Sequence, residues 1–162
     1  HGVSPATTGP PAATDRVKLT KMATLTRPIA IAVHPGEPDS GYIAQKGGIV
    51  RRIRLTSNGP SLDSYEVLNI AVKVSGGGEQ GLLGIAFAPD GNSLYADYTD
   101  VNGDTRVVAY PFASGKAGAG GERLILGVDQ PYENHNAVDI SFGPDKNQYI
   151  DLGGGVAGGA PQ

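Results

Sequence analysis

Two short segments of the 162-residue chain carry the groups best suited to acid–base work: Asn134-His135-Asn136 and Glu79-Gln80. An imidazole with an ordinary pKa near ~6.5 accepts a hydroxyl proton at neutral pH, and flanking amides can fix its tautomer without adding charge. A histidine between asparagines is also common in plain turns, where it makes ordinary hydrogen bonds. Glu79 and Gln80 follow a glycine turn and precede an apolar run over residues 82–87. They read either as part of a loop leading into a strand or as side chains projecting into a central cavity.

Other chemistry-bearing patterns fail on their surroundings. Residues 153–158 satisfy GxGxxG, but a dinucleotide fingerprint must open a helix that receives the pyrophosphate, and only four residues follow. Asp100, Asn102 and Asp104 have the first spacings of a calcium loop, yet the twelfth position is Pro111 where a bidentate glutamate is needed. A hairpin turn built on Asn102-Gly103 is the better reading. His1, paired with His34 or His135, raises the thought of a copper site using the terminal amine, but a processing or tag boundary explains it more simply. Arg51, Arg52 and Arg54 alternate with Val50, Ile53 and Leu55 and read as the solvated side of a strand, with a phosphate or a bound ligand's carboxylate as the functional alternative.

The elements that must position these groups are short strands. Glycine (25) and proline (12) approach a quarter of the chain, and long apolar runs at helical spacing are missing, so an all-β class follows. A net charge of −3 with scattered basic residues argues against a nucleic-acid partner. No stretch reaches the ~18–20 apolar residues of a membrane span. The absence of cysteine removes disulfides and thiolate chemistry. Residues 1–16, rich in proline, alanine and threonine, read as a flexible linker behind an export signal, which places the protein in a secreted or periplasmic setting.

A pattern recurs three times in the remaining residues, 17–162. Each copy has an apolar strand, a proline turn and a second strand with a tyrosine: IAVHPG before Tyr42, IAFAPD before Tyr95 and ISFGPD before Tyr149. Pro35, Pro89 and Pro144 lie 54 and 55 residues apart. A period near ~50 with several strands per unit is the signature of a β-propeller. We therefore expect about three antiparallel four-stranded blades, starting near residues 29, 82 and 137, or half of a six-bladed ring of ~320 residues. Such an arc exposes apolar faces and strand edges, which another chain, a missing downstream portion or the second arc of a homodimer would have to cover. Loops are expected over residues 75–78 and 113–121.

GGGEQGLLGIAFAPDGNSLYADYT followed by QPYENHNAVDISFGPDKNQYIDLGGG resembles, in order and spacing, the N-terminal half of the pyrroloquinoline-quinone-dependent glucose/sorbosone dehydrogenases. The resemblance implies a six-bladed propeller holding the quinone and calcium over its channel, with a small sugar above. His135 would then take the hydroxyl proton while hydride passes to the quinone, and Glu79, Gln80 and Asn134 would line the quinone pocket. The chain departs from the family pattern at Ala137-Val138, where two glycines are usual, and at Gly154, where an aspartate normally supports the histidine. A non-enzymatic propeller module that binds carbohydrate or protein is the alternative.

Overall fold

The computed structural model describes residues 19–118, 120–136 and 138–153. His1, the linker reading of residues 1–16, Ala137, Gly154 and most of the GxGxxG pattern lie outside the described residues.

The first sheet contains β1 (Pro28–Ala32), β2 (Ser40–Gln45), β3 (Ile49–Thr56), β4 (Gly59–Leu62) and β5 (Leu68–Asn69). Its order is β1-β2-β3-β4, and β5 pairs with the other end of β3, so the fourth position is a strand interrupted around Asp63. The second sheet repeats the meander with β6 (Leu82–Phe87), β7 (Ser93–Thr99), β8 (Thr105–Ala113), the short β9 (Lys116–Ala117) and β10 (Arg123–Val128). A hairpin of β11 (Val138–Phe142) and β12 (Gln148–Leu152) begins the third. All pairings are antiparallel, and β1, β6 and β11 are neighbours, as the inner strands of propeller blades are.

Strand alternation divides the apolar residues between two seams. Tyr42, Val50 and Leu68 of the first sheet meet Leu82, Phe87, Leu94, Tyr98, Tyr110 and Phe112 of the second in one large core. Phe87 and Phe112 pack edge to face with centroids 4.9 Å apart, and the His34 ring lies against both. His34 also ties the sheets: its Nδ1 accepts from Gly36 N–H at 3.0 Å, so its Nε2–H donates to Gly91 O at 3.0 Å. Both ring nitrogens are thereby engaged, and His34 offers no free metal ligand.

The second seam is smaller. Ala86 and Val107 pack on Ile140, flanked by Tyr95, Ile125, Leu126, Phe142 and Ile150. Among the described residues the outer face of the first sheet meets no other sheet, and Ile31, Val33 and Leu55 are exposed around an apolar groove of about 490 Å³ that Met22 and Leu25 also line.

Two expectations are corrected. Arg52 does not lie on a solvated face: it is 9% exposed. Its Nε donates to Asp63 Oδ2 at 2.7 Å, Nη1 to Glu37 Oε2 at 2.9 Å and Nη2 to Tyr65 OH at 2.5 Å. Arg54 Nε shares Asp63 at 2.8 Å. The countercharge arrives from the break in the fourth strand, eleven residues away, beyond the reach of a local alternation pattern. Residues 113–121 are not wholly a loop either. A tight turn at Ser114-Gly115 folds β9 back on β8, and Ala117 N–H donates to Val67 O at 2.8 Å, stitching the second sheet to the first.

The hairpin at residues 100–104 forms as expected, with Gly103 at φ +94°. Asp100 Oδ1 accepts from the backbone N–H groups of Asn102 at 2.8 Å and Asp104 at 3.1 Å. Arg106 lies 3.0 Å from both carboxylates and answers their charge.

Burial alone would raise the Asp63 carboxyl, but the hydrogen bonds from Arg52, Arg54 and Tyr65 outweigh it and hold it below the ordinary range. Its contribution is therefore complete above pH ~4 and lost as pH falls through the depressed folded value. Asp63→Ala is expected to cost about 3–5 kcal/mol by denaturant unfolding at pH 7, because it leaves a buried guanidinium uncompensated. The difference from wild type should shrink below pH ~4.

Candidate functional site

The turn before β6 and the turn before β11 meet at one end of the second seam. Gly77 O accepts from Gln80 N–H at 2.8 Å, which presents Glu79 at the exposed tip of the first turn. Glu79 Oε2 accepts from the backbone N–H of His135 at 2.7 Å. Residues 56 positions apart in sequence are thus joined by a charge-assisted bond across two blades. His135 is half-buried with φ +59°, a left-handed conformation unusual outside glycine and costing on the order of 1 kcal/mol. Among the described residues its ring makes no hydrogen bond.

The neighbours take different positions. Asn134 is exposed at the rim, and Asn136 is fully buried, with neither amide atom partnered among the described residues. Gln80 is 5% exposed and turns away from His135: its Oε1 accepts from Ser75 Oγ at 2.5 Å. It forms part of a polar cleft of about 270 Å³, lined also by Asn102, Gln130, Tyr132 and Glu133. Asp139 and Asp151, the carboxylates nearest His135 in the third repeat, are cross-strand partners on β11 and β12, both exposed, and neither bonds the imidazole.

Lys46 belongs to this end of the molecule and carries no motif that would reveal it. It follows β2, its carbonyl accepts from Leu82 N–H at 2.8 Å, and its ammonium donates to Gly78 O beside Glu79. A Cβ on Gly81, at φ +154°, would stand 2.7 Å from Lys46 O, so the close approach of these segments requires glycine there. The signal lay in the glycine of the EQG triplet, which marks a tight approach without saying to what. Among the described residues, no group of three or more His, Cys, Asp or Glu is placed to hold a metal.

No protein-family model matches the chain. A solved structure from Thermus thermophilus, provisionally described as an oxidoreductase (glucose dehydrogenase), superposes with a TM-score of 0.57 at 26% identity. The match covers 80% of this chain and 37% of that one. This chain has a β-propeller fold, with the antiparallel blades of that structure. It is also 31% identical to mouse Hedgehog-interacting protein over 83% of its own length, and 30% identical to the human protein over 82%. It spans about a fifth of those proteins, 22% and 21% respectively. No helix among the described residues is long and apolar enough to cross a membrane.

Glu79→Ala removes the acceptor for the His135 amide. Hydrogen exchange at that amide should accelerate by roughly tenfold or more while the strand amides of β6 and β7 keep their protection.

Proposed function

We propose that this chain is part of a pyrroloquinoline-quinone-dependent aldose or sorbosone dehydrogenase, with His135 as the base. The single observation carrying this reading is the Glu79–His135 bond, which unites the two segments picked out by the resemblance at one end of a blade seam. The likeness to a glucose dehydrogenase supports it.

The residues fit the quinone in part. Lys46 offers a cation suited to one of its carboxylates, Asn134 lies at the rim, and Gln80 stands behind Glu79. Glu79 supplies a carboxylate of the kind calcium takes. When bound, the quinone supplies the hydride acceptor. His135 takes the proton of the sugar's anomeric hydroxyl at a ring nitrogen as the anomeric C–H bond breaks and the carbonyl forms. Glu79 fixes the backbone that carries the imidazole, which limits the search for a productive geometry. The polar cleft beside it presents the Tyr132 ring, the Gln130 amide and the Glu133 carboxylate, groups that bind sugar hydroxyls and sugar faces.

The exposed apolar face of the first sheet supports assembly into a closed ring, with further blades supplied by more of the same chain, a second copy or another chain. The Hedgehog-interacting proteins favour a second reading, a propeller module that binds carbohydrate or protein without redox chemistry.

The assembled protein should shift the quinone's absorbance on binding and, with calcium, reduce a dye in the presence of aldose. His135→Ala should lower that rate by about 10²–10⁴-fold while leaving quinone binding intact. Sugar or protein binding with no quinone binding in any assembly state would replace the enzyme with the binding module.

A further inference from the structure

Asp97 is the most isolated charged-type residue among those described. It sits in the middle of β7, opposite Gly84 of β6 and Val107 of β8, and is 0% exposed. Neither carboxyl oxygen has a hydrogen-bond partner among the described residues. Alternation puts it on the same face of β7 as Tyr95, the face that packs against the third sheet. Most of that seam is apolar, with Ala86 on β6, Val107 on β8, Ile125 and Leu126 on β10, Ile140 and Phe142 on β11, and Ile150 on β12, while Gln148 of β12 alternates to the same face and its buried Nε2 has no partner among the described residues.

Among the described residues no cation answers it. Arg106 on β8 alternates to the other face and is occupied by Asp100 and Asp104. Arg123 at the start of β10 is exposed, and Asp139 and Asp151 are exposed on the far face of the third sheet. The uncharged polar neighbours on the same face are Thr99 and Thr105 at the upper end of the seam, the latter bonded by Gln130 Nε2 at 3.0 Å. A carboxylate cannot remain charged in such surroundings without a large penalty, whereas the neutral acid can.

The Glu79–His135 contact spans this same pair of blades. We propose that Asp97 is a proton-held latch: as the neutral acid it lets the second and third sheets close, and on ionising it loosens that seam and the Glu79–His135 contact with it. Such a latch is independent of the catalytic reading, since its readouts are stability and a backbone signal.

Burial pushes the Asp97 carboxyl up to about 8, against ~3.9 in the unfolded chain. A raised acid contributes stability that is complete below pH ~4 and disappears as pH rises through about 8. The folded-to-unfolded ratio should therefore fall by up to about tenfold per pH unit across that window. The test is denaturant unfolding of wild type and Asp97→Asn from pH 4 to 9, with carbon NMR titration of the Asp97 carboxyl and amide NMR of His135.

The latch predicts that Asp97→Asn removes most of the slope, that the carboxyl titrates well above 6, and that the His135 amide signal moves with the same midpoint. Equal slopes in both proteins, or a carboxyl titrating near 4, would overturn it. If Asp97→Asn does not fold, the wild-type carboxyl titration decides alone. Stabilisation of wild type at pH 9 by sodium, potassium or calcium, absent in Asp97→Asn, would mean that a cation holds the seam and would also overturn the latch.

Discussion

The first and second sheets each have two apolar faces, the third has one, and none can bury them by itself. Stacking against a neighbour is therefore the constraint from which the rest follows. The first and second sheets meet it fully, with an aromatic core and two extra ties, His34 to Gly91 and Ala117 to Val67. The second and third meet it with far fewer side chains. The outer face of the first does not meet it among the described residues.

The polar groups taken into the interior show how unequal the sheets are. Arg52 is buried with Asp63, Glu37, Tyr42 and Tyr65 around it, so its charge and donors are answered and the interrupted fourth strand is held in register. Asp97 is buried with nothing among the described residues to answer it. The well-compensated network belongs to the first sheet, while the uncompensated acid lies in the thinner seam that carries the Glu79–His135 contact. A site placed at a weakly packed seam can be adjusted by small changes in that packing, which a site on the first seam could not.

Repetition made the architecture readable before any coordinates. The spacing of Pro35, Pro89 and Pro144 encodes the stacked meanders, and Asn102-Gly103 encodes its hairpin, because both are local or periodic signals. Glu79 and His135 could each be singled out, but their contact depends on how two blades dock, and neither segment states its partner. Arg52 was misjudged because alternation reports which side of a strand a residue takes, and a buried countercharge such as Asp63 can sit on either side. Lys46 and Asp97 were missed for related reasons. The lysine matters through its carbonyl and its position, and the aspartate lies inside a run that otherwise reads as an ordinary strand.

The central claim is that the turn carrying Glu79 and the turn carrying His135 form one site across the second seam. A crystal structure of the assembled protein grown with pyrroloquinoline quinone and calcium tests this most directly. It should show the quinone seated against Glu79 and Lys46 with the His135 imidazole facing it. A quinone bound elsewhere, or an imidazole turned out to solvent with the Glu79 bond broken, would contradict it.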